Sequence, residues 1–206
     1  MTYSTISKAP SAGRAWGVRR GIGSTPDLRR SARGVGPLPT APILTCRPLA
    51  MCDASRMRPT LFEFAGGQPA FLALAAAHHA RCLEDPELNH PFSHPGQNPR
   101  HVERLAAYWA EVLGGPPDYS RTCADESHVL RMHAGNGDMT DLGRRFVDCF
   151  DRALDDAGLP TDPAFRAAML AYMRWAVDVV LSYGDRDAVV PLGAELPRWG
   201  WDGLQP

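Results

Sequence analysis

QPAFLALAAAHHARCL, residues 68–83, is the stretch on which the fold turns. Phe71, Ala75, His78 and Cys82 fall on one stripe at helical spacing, with Leu72, Ala76, His79 and Leu83 beside it. The interleaved alanines favour a helix strongly. Gly66-Gly67 precede it and supply the positive φ that a helix end takes, and Pro86 ends or redirects it. Working outward, Leu61-Phe62-Glu63-Phe64 is a short apolar opening on one side. On the other, residues 89–99 (NHPFSHPGQNP) are turn-rich, with Pro91, Pro95 and Pro99. His101, Leu105, Tyr108, Trp109 and Val112 then share one face of a helix that Gly114-Gly115-Pro116-Pro117 terminates. A looser stretch, Asp118 to Ser127, leads into a short segment with Val129, Leu130, Met132 and His133, broken by Gly135-Asn136-Gly137-Asp138. Two long helices follow. One runs from about Thr140 to Ala157, with Phe146, Cys149, Phe150 and Leu154 inward. The other has Asp162 as N-cap and Pro163 at its first position, and runs to about Tyr183. Nothing from 60 to 184 alternates with period 2. The body reads as all-α.

The 206 residues carry a net charge of −1, but the balance is uneven. Residues 1–50 hold Lys8 and seven arginines against Asp27 alone, which leaves 14 basic and 22 acidic side chains for the remainder. A basic head rich in Gly, Pro and Ser cannot bury enough apolar surface to offset chain entropy, so disorder is expected there. It has no apolar run of the secretory kind, and neither Arg19-Arg20 nor Arg29-Arg30 precedes a hydrophobic region. Its scattered arginines lack the aromatic stripe of a nucleic-acid-binding arm. Met51 and Met57 stand just before the ordered pattern, consistent with an over-extended start. The expected division is an extension over 1–58, a helical domain over 59–184 and a tail over 185–206. That tail contains Pro-Arg-Trp-Gly-Trp, read either as loose chain or as two indoles docked on the helices. No apolar run reaches the roughly 18–20 residues of a membrane span. The five cysteines (46, 52, 82, 123 and 149) include no C-x-x-C, which argues against a disulfide framework and a thiolate zinc site. The reducing cytoplasm is the consistent compartment.

His78, His79, His90, His94, His101 and His133 are candidates for one cavity, whereas His128 is expected to point away. A single His on an apolar helix face is usually a satisfied core residue. Several on separate helices suggest a shared metal. H-E-x-x-H, paired E-x-x-H and G-x-S-x-G are all absent, so zinc-protease, di-iron and nucleophile-elbow chemistry have no support.

Certain motifs carry a resemblance. Phe64-Ala65-Gly66-Gly67, Leu83-Glu84-Asp85-Pro86, His90-Pro91-Phe92, Gly114-Gly115-Pro116 with Tyr119-Ser120, and Leu130-Arg131-Met132-His133-Ala134 occur in that order. From Leu61 to Tyr183 the chain resembles the truncated haemoglobins of the second group. The resemblance implies an all-α truncated globin, a two-over-two helical sandwich. It also implies haem b, held without a covalent tether because no C-x-x-C-H occurs.

Carried over position by position, His133 resembles the proximal iron ligand, with Met132 among the apolar residues around it. Phe92 matches an aromatic on the distal haem face, and Leu105 an apolar distal residue. Phe146 falls where the family usually carries Trp, His79 where most relatives carry Tyr, and His101 where many carry a small residue. Arg131 is a candidate partner for a haem propionate. The implied function is binding of dioxygen or another diatomic ligand at iron, with oxygen, nitric oxide or peroxide redox chemistry within reach and a reductase as the implied partner. Neither nucleic acid nor membrane is expected as a partner. The rival reading is a haem-free helical interaction module or a non-haem metal protein.

Overall fold

The computed structural model describes residues 58–93 and 96–206. The basic head and the expectation of disorder attached to it, together with His94, lie outside the described residues. The described elements are α1 (Leu61–Ala65), α2 (Gln68–Glu84), α3 (Asn89–Phe92), α4 (His101–Val112), α5 (Asp118–Thr122), α6 (Glu126–His133), α7 (Thr140–Asp156), α8 (Pro163–Leu181), β1 (Trp199–Gly200) and β2 (Gly203–Leu204). None of these helices is long and apolar enough to cross a membrane.

Local chemistry sets the helix ends. Thr60 and Glu63 form a reciprocal capping box: the Glu63 amide donates to Thr60 Oγ1 (3.1 Å) and the Thr60 amide to Glu63 Oε2 (2.9 Å). Asp162 caps α8 by accepting from the Phe165 amide at 2.9 Å, with Pro163 in the first turn. Gly114, which stops the chain after α4, has φ +98°, and a Cβ there would lie 2.6 Å from the Cβ of Thr60. Glycine is required there by both conformation and space.

The core follows from these placements. α2 packs against both α4 and α7, and α7 against α8, so the pair α2/α4 lies on the pair α7/α8. Phe71, Leu74, Phe150, Phe165, Met169 and Tyr172 are fully buried between them. This is the expected all-α, two-over-two arrangement. Gly143 of α7 permits the close α7–α8 approach, since a Cβ there would meet Val177 Cγ1 at 2.7 Å.

Several details differ from expectation. Leu72 and Ala76 face solvent, and Leu74 is buried with Phe71, Ala75, His78 and Cys82. Two adjacent stripes satisfy the helical period, and the positions of α4 and α7 select between them. The turn-rich 89–99 stretch contains α3, because Asp85 Oδ1 accepts the amides of Glu87 and Leu88 (2.9 and 3.1 Å) and Leu88 is buried. The looser stretch after Pro117 contains α5, anchored by buried Tyr119 and by the Ser120 amide donating to Glu111 Oε2 at 2.9 Å.

The tail is docked. β1 and β2 pair antiparallel, Trp199 opposite Leu204. Trp199 is buried against Trp175 and Tyr172, with ring centroids 5.3 and 5.9 Å away. Trp201 Nε1 donates to the Pro59 carbonyl at 2.7 Å, and the Arg58 guanidinium lies 3.4 Å from the Trp201 ring centroid. Aromatic burial gives a segment without periodicity its reason to order.

Candidate functional site

Four elements bring one group of rings together. His79 comes from α2, Phe92 from α3, His101 from the first turn of α4 and Phe146 from α7. The His79 and His101 ring centroids are 5.4 Å apart, and Phe92 is 5.9 Å from the first and 6.1 Å from the second. Phe146 stacks on Phe92 at 6.0 Å. The Nε2 atoms of His79 and His101 are both buried and have no hydrogen-bond partner among the described residues. Burial, then the proximity of the His79 ring, then the Arg104 guanidinium lower the pKa of His101, so this imidazole is held neutral. Leu105, one turn beyond His101, is half-buried and packs against the main core.

Behind this group stands His78, fully buried. Its ring is 4.3 Å from Phe146, 5.3 Å from Trp109 and 6.0 Å from Phe150. Its Nε2 lies 3.3 Å from the Phe146 carbonyl, which can only accept, so Nε2 carries the proton. Desolvation lowers its pKa to about 4 against the opposing pull of that carbonyl, with smaller contributions from His79 and His101. His78 is therefore a neutral brace beneath the Phe146 backbone. Adjacent helical positions point about 100° apart, so His78 and His79 take separate tasks. The sequence places both near a cavity, and nothing in it distinguishes brace from pocket wall.

His133 ends α6 and is exposed. Its Nδ1 donates to the Val129 carbonyl at 2.8 Å, one turn back. A carbonyl can only accept, so Nδ1 carries a proton, and in the neutral ring the Nε2 lone pair is left to accept a metal. Leu130 is buried, Val129 half-buried, and Met132 is 56% exposed, unusual for a large apolar side chain. Arg131 faces Asp125 at 3.9 Å, with both side chains exposed. The structure thus brings His79, His101, Phe92 and Phe146 together, with Leu105 on the same helix as His101. His133, Arg131 and Met132 form a second group on α6. His90 is exposed and His128 half-buried. No three His, Cys, Asp or Glu side chains among the described residues group as ligands for a bare metal ion.

The sequence over residues 60–181 matches the family model of the bacterial-like globins. The chain belongs to that family. Solved structures agree on the fold. The haemoglobin of the thermophilic phototrophic bacterium Chloroflexus aurantiacus is similar at 25% identity, over 60% of this chain and 98% of that one, with a TM-score of 0.52. A thermostable haemoglobin from the actinobacterium Thermobifida fusca is similar at 23% identity, over 60% and 97%, with a TM-score of 0.50. The group II truncated haemoglobin of Bacillus anthracis has the same fold at 17% identity, over 60% and 92%, with a TM-score of 0.52. Among curated proteins no sequence matches. This globin therefore has the truncated-haemoglobin fold, and its family implies haem as prosthetic group and a diatomic molecule as ligand.

Proposed function

We propose that this globin binds haem b without a covalent tether, with His133 as proximal ligand, and holds dioxygen or another diatomic in a pocket walled by His79, Phe92, His101, Leu105 and Phe146. The observation that carries the reading is the pair of buried Nε2 atoms on His79 and His101 with no hydrogen-bond partner among the described residues. A buried polar atom without a partner is costly, and a ligand between the two rings supplies one.

The residues present fit the group. His133 has its Nδ1 proton engaged by Val129 and its Nε2 lone pair free. Met132 offers exposed apolar surface to a flat apolar ring system. Arg131 pairs with Asp125 only at 3.9 Å and in solvent, a contact worth little, so its guanidinium is available to a propionate. When bound, haem supplies an iron centre that takes a diatomic ligand and accepts or gives single electrons. The protein supplies orientation and surroundings. His133 is aimed by Val129. Phe92, Leu105 and Phe146 keep the ligand side apolar and exclude water. His101, held neutral, and His79 each offer one N–H donor toward the outer atom of the ligand. His79 stands where most relatives carry Tyr, Phe146 where they usually carry Trp and His101 where many carry a small residue. Two imidazoles thus replace the O–H and N–H donors of Tyr and Trp and set ligand lifetime. A reductase that keeps the iron reduced and a cytoplasmic location belong to this reading.

Haem titration of the purified chain tests it. A Soret band that saturates at one haem per chain is expected, and no band after haem addition would overturn the reading.

A further inference from the structure

We infer that the C-terminal tail is a clamp on α6, with Ser127 as its positioning residue, and that it sets the place of the His133 imidazole. The inference about His133 rests on the haem reading above; the clamp on α6 does not.

Helix α6 is poorly held by its own sequence. It has eight residues, and Leu130 is its one buried apolar side chain. A helix this short has no independent stability in water. Its position must come from elsewhere, and the hydrogen bonds show where. Just beyond its C-terminal end, the amide of Gly135 donates to the Tyr183 carbonyl at 3.0 Å, and that of Gly137 to the Gly184 carbonyl at 2.9 Å. The chain leaving α8 then reaches the opposite end of α6. There the Glu126 amide donates to the Ala194 carbonyl at 3.0 Å, and the Ala194 amide donates to Ser127 Oγ at 2.8 Å.

The two N-terminal bonds satisfy groups that α6 cannot satisfy itself. The Glu126 amide belongs to the first turn, where amides lack an intrahelical acceptor, and the Asp125 side chain serves the His128 amide instead. Ser127 is fully buried, so its hydroxyl needs a partner inside the protein. Ala194 answers both from one residue. The tail itself is fastened beyond this point by buried Trp199 and by the Trp201–Pro59 bond. Tyr108 OH donates to Glu126 Oε2 at 2.8 Å, tying the same end of α6 to α4. The helix that carries His133 is therefore gripped at both ends by chain that follows α8.

The test cuts one bond from either side. Ser127→Ala removes the acceptor, and Ala194→Pro removes the donor while leaving Ser127 intact. Amide hydrogen exchange is measured on the full chain without haem. Residues 126–134 are expected to exchange about tenfold faster in both variants, while α2 and α7 keep wild-type protection, which also reports that each variant is folded. With haem bound, haem loss is expected to be about tenfold faster and the iron–histidine stretching band to shift. Unchanged exchange in α6, or faster exchange in every helix alike, would overturn the clamp. Faster exchange in α6 with unchanged haem loss and an unchanged stretching band would overturn the role in placing His133. If the wild-type chain takes up no haem, the haem reading fails and α6 exchange alone decides the clamp.

Discussion

His78 makes the stability of this globin depend on pH in a window that can be worked out. The imidazole is fully buried, its Nε2 faces the Phe146 carbonyl at 3.3 Å, and the Cys82 sulfur lies 3.6 Å from Nε2. The other titratable rings facing it are His79 and His101, and both oppose its protonation. Its pKa falls from 6.5 to about 4 on folding. The unfolded chain therefore takes up a proton that the native chain refuses, and stability is lost as pH falls from about 6.5 towards 4. The slope approaches about 1.4 kcal/mol per pH unit, and the loss between pH 7 and pH 5 comes to about 2 kcal/mol. Against a total of roughly 5–15 kcal/mol for a typical domain, that is a large share. Asp85, Asp138, Asp141 and Asp156 have lowered pKa values, so their contributions disappear only at lower pH, below their ordinary value of 3.8. Burial raises the pKa of Glu126, which works in the opposite sense, and His101 works in the same sense as His78. The readout is therefore the difference between wild type and His78→Gln, which keeps an N–H donor and removes the titration. Urea unfolding of the haem-free chain at a series of pH values measures it. The variant curve should be flatter by about 2 kcal/mol between pH 7 and pH 5. Parallel curves would show that His78 does not titrate across folding and would refute the reasoning.

Three further outcomes are expected. His133→Ala should weaken haem retention by more than about hundredfold, since no covalent tether remains; wild-type haem content with an unchanged spectrum would sink the assignment. His79→Leu, His101→Leu or the double variant should release dioxygen roughly 5- to 150-fold faster by stopped-flow spectroscopy; wild-type rates in all three would leave the ligand held by Phe92, Leu105 and Phe146 alone. Removal of residues 1–56 keeps Arg58 and Pro59, the tail's contacts at the start of the domain. It should leave the melting temperature within about 2 °C and haem affinity unchanged, because a shift of 1 kcal/mol would appear as roughly 2–4 °C in a domain of this size.

Parts of this molecule were readable in the chain because their causes are local. Thr60 and Glu63 lie three residues apart and close their own box, Asp162 caps its own helix, and Gly114 serves a turn beside it. His133 belongs with them. The carbonyl that orients its ring is Val129, one turn back on the same helix, so the proposed proximal group sits within one short segment. The proposed distal group has no such address. His79 and His101 meet at 5.4 Å only because α2 and α4 pack together, and spacing alone assigns them to separate faces of separate helices. The histidine count makes them candidates for one cavity, but only the resemblance to a family sets them on one side of a pocket and shows how they depart from its residue types. The brace at His78 and the bond from Ala194 to Ser127 were not legible at all, because their partners lie 68 and 67 residues away. This difference has a functional consequence. A change at His79 or His101 breaks no cap and no helix-end hydrogen bond, so each can be exchanged while the fold stands. His133, the proposed proximal ligand, depends instead on the placement of α6, so changes at Ser127 or Ala194 reach it through the frame. On the proposed function, variation in what this globin binds, and for how long, is accordingly accommodated at His79 and His101, whose side chains hold no helix end.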